Sequence, residues 1–320
     1  MDSSSYHIPN FTYPGVDSST LFAAIRDQAV AAEDAGFERI TVMDHFFQLP
    51  MLGQYDEPML ECYTLLAALA QHTSRVQLST MVTGNTYRNP AMLAKEITAL
   101  DIVSGGRATL AIGAGWYERE HDAMGYEFGT FTDRFEKLEE ALQIVTPMLR
   151  GGTAELDGKH YQVAGMVNSP APISRVPILI GGGGEKKTLR MVAQYADESN
   201  LIGPATREQL EHKLDVLDAH CDRLGRDRSE LAVSLNVACC IAPTMEEADA
   251  DLAAMAEVKG WDDQTVAALR GRGAYGDPDT VGEYLSGLAG PGLDAFSCSL
   301  AVNGHIPGRI ALLGEVLAKI

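Results

Sequence analysis

Short runs of β-branched and other apolar residues alternate along the whole chain with longer segments in which apolar residues recur at helical spacing. The short runs predict eight strands, near residues 6–9, 39–43, 76–82, 108–112, 176–180, 198–202, 231–237 and 295–300. The longer segments predict eight helices, near residues 20–35, 59–73, 90–103, 131–150, 185–196, 206–224, 245–270 and 306–319. Several helices have an expected N-cap, namely Ser19, Thr132, Thr206 and Thr244.

Eight strands that alternate with eight helices predict an α/β fold of the closed (β/α)8 type, a TIM barrel, because a doubly wound sheet usually has five or six strands. No linker-like tract divides the chain, so we expect residues 1–320 to form a single domain. Residues 153–168 interrupt the alternation, since AELDGKHYQV predicts two short strands joined by a turn at Asp157 and Gly158. We expect this small β-hairpin to be an insertion at the barrel mouth.

Composition and charge narrow the classes of function. The chain has 25 basic and 44 acidic side chains and a formal charge of −19, which repels nucleic acid and anionic membrane surfaces. Its five cysteines lack metal-binding or disulfide-like spacing, and neither a secretory leader nor a long apolar span is found. We therefore expect a cytoplasmic protein that acts on a small-molecule substrate, with no nucleic acid or membrane as partner.

The active site of a barrel forms where the strands end and the loops lead into the helices. In ITVMDHFF, Asp44 and His45 directly follow the second predicted strand. An aspartate can orient a ring or a proton, and a histidine can exchange a proton near neutral pH. The alternative is that Asp44 caps the next turn and His45 is a polar rim residue, but the position at a strand exit favours a site.

The fourth strand exits into LAIGAGWYERE, where Gly113 and Gly115 lack a Cβ atom. A flat ligand can therefore lie directly on the backbone there, with Trp116 as a wall. The segment lacks the third glycine of the dinucleotide-binding fingerprint, which excludes a Rossmann site.

Two further clusters are assigned no chemistry. His121 with Glu118 and Glu120 reproduces no closed set of metal ligands, so we interpret these residues as the polar surface of a helix. Cys239 and Cys240 have no base nearby in the sequence and are interpreted as buried strand residues.

The fifth strand ends in four consecutive glycines, Gly181, Gly182, Gly183 and Gly184, directly before a helix. Such a run is costly in entropy unless close backbone approach or unusual φ angles are needed. Bare amides at a helix N-terminus bind phosphate, and Lys186 and Lys187 add positive potential. The pattern GxxxxGK[ST] is missing, so a P-loop nucleotidase is excluded.

Taken together, these segments resemble the luciferase-like monooxygenase superfamily, and within it the branch that uses the deazaflavin coenzyme F420. The resemblance covers nearly the whole chain and is carried by HIPNF, AAEDAGFERITVMDHF, STMVTGNTYRNPAMLAKEITALDIVSGGR, LAIGAGWYEREHDAMG and LIGGGGEKKTLRMVAQYAD. The third and fourth segments are specific in combination, whereas the glycine run alone is not.

The resemblance implies a cofactor ring in the barrel mouth, with the ribityl phosphate at the four glycines. It also implies a non-prolyl cis peptide, which maps to Thr80 and Met81, and a homodimer. Asp44 would contact the ring and His45 would donate or accept a proton. The cofactor-binding residues expected on this basis are Asp44, His45, Thr80, Met81, Gly113, Gly115, Trp116, Gly181, Gly182, Gly183 and Gly184.

The implied reaction is hydride transfer between C5 of F420 and a small organic substrate. The sugar-phosphate dehydrogenases of this branch carry a glutamate where this chain has Trp116, so we expect a flat or apolar substrate instead of a sugar phosphate. The alternatives are an FMN-dependent monooxygenase and a flavin- or deazaflavin-binding protein without chemistry of its own.

Overall fold

The computed structural model describes residues 4–271 and 273–320. The strands are β1 (Ser5–Ile8), β2 (Arg39–Val42), β3 (Gln77–Thr80), β4 (Thr83–Gly84), β5 (Leu110–Gly113), β6 (Thr153–Asp157), β7 (Gln162–Val167), β8 (Ile178–Gly181), β9 (Glu198–Leu201), β10 (Ala232–Ile241), β11 (Ala274–Gly276) and β12 (Ala295–Ser299).

The helices are α1 (Leu21–Asp34), α2 (Cys62–Leu69), α3 (Pro90–Ser104), α4 (Glu118–Met124), α5 (Phe131–Leu149), α6 (Thr188–Tyr195), α7 (Arg207–Leu224), α8 (Met245–Lys259), α9 (Asp263–Arg270), α10 (Pro278–Leu288) and α11 (Arg309–Leu317). No helix in the described ranges is both long and apolar enough to cross a membrane.

The main sheet is a parallel barrel with the order β3-β2-β1-β12-β10-β9-β8-β5-β4. The predicted third strand is split into β3 and β4, of which β4 pairs with β5. A bridge between Leu78 and Ala108 joins β3 to the start of the next strand and closes the ring. The predicted (β/α)8 barrel and its eight strand positions are confirmed.

Alternation along the strands divides the barrel into an apolar outside and a polar inside. Ile40 and Val42 of β2 are fully buried with the large apolar core. Thr41 lies between them in sequence, and its hydroxyl is 2.9 Å from Nδ1 of His7 in β1. Burial is the main cause that lowers the pKa of His7 to about 4, so this imidazole is neutral at pH 7.

The structure corrects the sequence-based helix assignment in the last third of the chain. The helix predicted over 245–270 is two helices, because α8 ends at Gly260 in the left-handed conformation with φ of 62°. β11 and α10 follow and were missed by the periodicity. β11 pairs with the last residues of β10, so α8 and α9 form an excursion from the C-terminal end of that strand.

Two of the four expected N-caps are correct. The hydroxyls of Thr206 and Thr244 accept hydrogen bonds from amides in the first turns of α7 and α8. The predicted Ser19 and Thr132 were wrong, because the N-cap of α1 is Thr20 and that of α5 is Thr130.

The predicted hairpin at 153–168 is confirmed as the antiparallel pair β6 and β7. Its turn packs against α5, where the Glu140 carboxylate accepts hydrogen bonds from the amides of Lys159, His160 and Tyr161 at 2.8 to 2.9 Å. The hairpin therefore packs against α5, and none of its residues is among the described lining of the cavity below; its place at the barrel mouth stays a prediction.

Candidate active site

A cavity of about 410 Å³ opens at the C-terminal ends of β2, β4, β5, β8 and β9. It is lined by most of the residues that the sequence singled out, namely Asp44, His45, Met81, Gly113, Gly115, Trp116, Gly181 and Gly182. Its volume lies in the usual range for small-molecule and cofactor sites.

Thr80 does not line this cavity. It is buried, and its hydroxyl is 2.8 Å from the hydroxyl of Thr83 and 3.2 Å from the carbonyl of Ala111, so it joins neighbouring strands. The non-prolyl cis peptide links Met81 to Val82, one residue beyond the expected position. Val82, which the sequence reasoning missed, lines the cavity in place of Thr80.

Val82 also explains two of the glycines. A Cβ atom on Gly113 would lie 2.9 Å from one methyl group of Val82, and a Cβ atom on Gly181 would lie 2.8 Å from the other. Both glycines are therefore needed so that Val82 can pack against the bare backbone at two strand exits. The result is an aliphatic surface on the cavity wall.

The other glycines fold the loop tightly onto its neighbours. Gly182 has φ of 121°, a conformation that a side chain rarely adopts. A Cβ atom on Gly183 would lie 3.0 Å from the carbonyl oxygen of Ile202, and one on Gly184 would lie 2.8 Å from Oγ1 of Thr188. Gly183 borders a second, more open groove, and Gly184 lines neither space.

Among the described residues, the amides that directly follow Gly182 have no backbone hydrogen-bond partner. The amide of Gly182 donates to the carbonyl of Asn200 at 2.9 Å, whereas the amides of residues 183–188 donate no backbone hydrogen bond within the described ranges. Thr188 is the first residue of α6 and lines the cavity. Free amides at a helix N-terminus, together with the helix dipole, provide an anion site at this end of the cavity.

At the other end, His45 contacts a buried carboxylate. Nδ1 of His45 is 2.9 Å from Oε2 of Glu120, which also accepts the hydroxyl of Tyr87. Oε1 of Glu120 accepts the amides of Phe46 and Phe47. Burial acts to raise the pKa of Glu120, but the hydrogen bonds from His45, Tyr87 and Phe47 outweigh it, so the pKa lies below its ordinary value.

Glu120 corrects the sequence interpretation. Together with His121 it was assigned to a helix surface, but both side chains are fully buried. Nε2 of His121 is 2.6 Å from the hydroxyl of Thr86, and its Nδ1 is 2.9 Å from the carbonyl of Tyr117. Glu118, two residues before Glu120, is exposed as predicted.

Asp44 lies beside His45 on the cavity wall, but both of its carboxylate oxygens accept hydrogen bonds from protein groups. Oδ2 is 2.7 Å from the Arg88 guanidinium and 3.0 Å from the amide of Gly84, and Oδ1 accepts the Cys62 thiol at 3.2 Å. The carboxylate therefore anchors β4 to the end of β2. Its contact with a ring stays a prediction.

The open side of the cavity is aromatic. Trp116 is 54% exposed and stacks on Tyr117 with 5.2 Å between ring centroids, and Phe131 is 59% exposed. Among the described lining residues, Arg134 is the only lysine or arginine, and it donates to two backbone carbonyls at 2.9 and 3.2 Å. This side therefore favours flat, uncharged molecules over anions.

The described lining of this cavity includes neither a cysteine nor the group of residues that has metal-ligand spacing. All five cysteines are free and buried, and Cys239 and Cys240 lie in β10 as predicted. Within the described ranges, one group has the spacing of metal ligands, formed by Asp133, Glu136 and His160. The ammonium of Lys159 already pairs with both carboxylates of this group, at 2.7 Å from Glu136 and 3.4 Å from Asp133.

Comparison with known proteins gives the family. A profile of the luciferase-like monooxygenase family matches residues 4–292. The chain is 30% identical over 210 residues to the pyrimidine monooxygenase RutA of Caulobacter sp. strain K31, which covers 64% of this chain and 58% of that protein. It is 34% identical over 173 residues to the F420-dependent glucose-6-phosphate dehydrogenase of Nocardia farcinica, covering 53% and 49%.

A solved structure has the same fold. The F420-dependent tetrahydromethanopterin reductase of Methanopyrus kandleri superposes with a TM-score of 0.74 at 20% identity, covering 98% of this chain and 97% of that one. The chain matches only about half to three-fifths of the length of the two curated relatives named above. The profile match spans nearly the whole chain, and on that ground the chain belongs to the luciferase-like monooxygenase family.

Proposed function

We propose that this chain is a coenzyme F420-dependent oxidoreductase that transfers a hydride between the cofactor and a small, flat or apolar organic substrate. When bound, the deazaflavin supplies the carbon, C5, that gives or takes the hydride. The observation that carries the proposal is one cavity with an anion site at α6, an aliphatic wall at Val82 and a histidine at the opposite end.

The residues present fit a planar ring with a phosphate tail. Val82 presents methyl groups against which a ring face packs, and Thr188 with the amides of residues 183–188 would hold the phosphate. Asp44, already fixed by Arg88, would contact the ring edge. Asp44, Met81, Gly113, Gly115, Trp116, Gly181 and Gly182 are the proposed lining of the cofactor site, and Trp116 is also assigned to the substrate side of the cavity.

His45 would exchange the proton that accompanies hydride transfer. Its Nδ1 is occupied by Glu120, which leaves Nε2 as the atom that gives or takes the proton at the cavity. Trp116 and Phe131 would exclude water from the reacting atoms and hold a flat substrate in place, which makes the transfer effectively unimolecular.

The second candidate is an FMN-dependent monooxygenase. It is favoured by the RutA relatives, one of which, from Pseudomonas syringae, is 29% identical over 301 residues. The aliphatic wall at Val82, the proposed phosphate site at the start of α6 and His45 suit the rings of both F420 and FMN. We favour F420 because the MDHF and GAGW segments resemble those of the F420 branch.

The test is to titrate the purified ligand-free protein separately with F420 and with FMN and to follow the fluorescence quenching of each compound. We expect saturable quenching of F420 at lower concentration than of FMN. Tight binding of FMN with no binding of F420 would overturn the assignment. A protein that binds F420 and keeps its function in the His45→Ala variant would instead be a carrier without chemistry.

A matched pair of variants tests the phosphate corner. Thr188→Val keeps the shape of the side chain and removes the hydroxyl at the start of α6, so the cofactor dissociation constant should rise about tenfold, as expected for a hydrogen bond to a charged group. Thr146→Val is the control, because the buried Thr146 hydroxyl on α5 has no hydrogen-bond partner. Equal affinities in both variants would place the phosphate elsewhere.

A further inference from the structure

Glu120 is fully buried, and its carboxylate contacts His45. His45 lines the cavity and carries an exchangeable proton. Glu120 lies on α4 and is held by groups from two other segments, since Phe46 and Phe47 follow β2 and Tyr87 ends the 3₁₀ turn after β4. A carboxylate with four donors around it is fixed in both position and charge.

The direction of these hydrogen bonds determines which nitrogen of His45 carries hydrogen. An ionised carboxylate can only accept, so Nδ1 of His45 must donate. In the neutral imidazole, Nε2 is then the acceptor, and it lies on the opposite side of the ring from Glu120. His45 lines the cavity, so the free nitrogen is available to a bound molecule.

We infer that Glu120 is a positioning residue for the proposed reaction, which holds His45 in the Nδ1–H tautomer so that Nε2 is the atom that exchanges the proton. This inference rests on the proposed function for its catalytic consequence, but the tautomer is a property of the ligand-free protein.

Other charged and titratable groups face the imidazole and remain in place when Glu120 is changed. Asp44 is neutralised by Arg88, the neutral His7 lies within electrostatic reach on β1, and Tyr117 packs edge-on at 5.9 Å between centroids. Within the described ranges, none of these groups forms a hydrogen bond with Nδ1 of His45. Glu120 alone therefore sets the tautomer.

The experiment is ¹⁵N NMR of the imidazole nitrogens in the ligand-free protein, with His45 assigned through a His45→Asn variant. In the wild type, the neutral form of His45 should carry hydrogen on Nδ1. In Glu120→Gln, a large fraction should shift to the Nε2–H form. Glu118→Gln is the matched control, because it removes the same charge from an exposed position on the same helix and should leave the spectrum unchanged.

A wild-type spectrum in which Nε2 of neutral His45 carries the hydrogen would overturn the inference. This part of the test needs no variant, so it stands even if Glu120→Gln does not fold. A folded Glu120→Gln protein with an unchanged tautomer would also overturn it. In turnover, Glu120→Gln should lower kcat at least tenfold, with KM little changed. Failure of the cofactor titration alone would affect the proposed function and not the tautomer.

Discussion

The contact between Gly181 and Val82 provides a sharp test of how the cavity wall is built. In the Gly181→Ala variant, the new Cβ atom would lie 2.8 Å from one methyl group of Val82 and 3.2 Å from the other. The shorter distance is about 0.6 Å less than an ordinary contact of 3.4 Å. Since the backbone of Gly181 is not in the left-handed region, the perturbation is steric and not conformational.

The cost follows from overpacking. Inserting a methyl group at a filled position costs about 1–3 kcal/mol. Val82 can yield only by moving into the cavity, so part of that cost should fall on cofactor binding. If all of it did, the dissociation constant would rise between about fivefold and more than a hundredfold. The double variant Gly181→Ala with Val82→Ala removes the methyl groups that clash and should recover most of the loss.

The assay is urea unfolding together with quenching of whichever ring compound the wild type binds, applied to both single variants and the double variant. We expect a coupling free energy of at least about 1 kcal/mol, because the two side chains share one space. Gly287→Ala is the control, since a Cβ atom there meets nothing within 4 Å. Purely additive effects of the two substitutions would refute this account of the glycines.

Three further predictions concern stability and substrate. Burial acts to raise the pKa of Glu33, but the hydrogen bonds that its carboxylate accepts from backbone amides of the loop after α2 lower the pKa to about 2. Stability should therefore be lost as pH falls from roughly 4.5 to 2, and Glu33→Gln should flatten that loss in acid unfolding curves. Lys259→Met should cost about 3 kcal/mol in urea unfolding because it removes the cationic partner of the half-buried Glu57 carboxylate, and an unchanged midpoint would show that the pair is not formed. Trp116→Ala should raise KM for flat aromatic substrates more than it raises the cofactor dissociation constant, and steady-state kinetics with equal effects on both would contradict its assignment to the substrate side.

Periodicity located the barrel strands because each strand is short, apolar and bounded by polar residues, as in the segment around Ile40 and Val42. It failed in the last third of the chain, where Gly260 in the left-handed conformation ends α8 inside an apolar pattern that continues into α9, and it also missed β11 and α10. A break of this kind depends on one backbone angle and changes the apolar spacing little.

Site residues could be predicted from the sequence where they directly follow a strand. They could not be predicted where their role depends on partners far away in the sequence. Asp44 and His45 follow a strand directly, so the topology alone placed them at the mouth. Glu120 lies within the charged run EREHD, which has the composition of a surface helix. Its burial comes from hydrogen bonds to Phe46, Phe47 and Tyr87, which lie 33 to 74 residues earlier, and no local pattern records them.

The glycines show a similar limit. The sequence predicted close approach at Gly113 and Gly181 correctly, but it assigned the approaching group to a ligand, whereas Val82 fills the space where each Cβ would be. The signal that would have found Val82 is its place in the same predicted strand, 76–82, as the expected cis peptide, directly after Met81.

The measurement that tests the central claim most directly is a crystal structure of the wild-type protein soaked with F420, and in parallel with FMN. The account predicts a ring in the mouth cavity against Val82, with Nε2 of His45 facing it and the phosphate within hydrogen-bond distance of Thr188 and the amides of residues 183–188. A cavity that stays empty with both compounds, or a phosphate bound away from the start of α6, would contradict it.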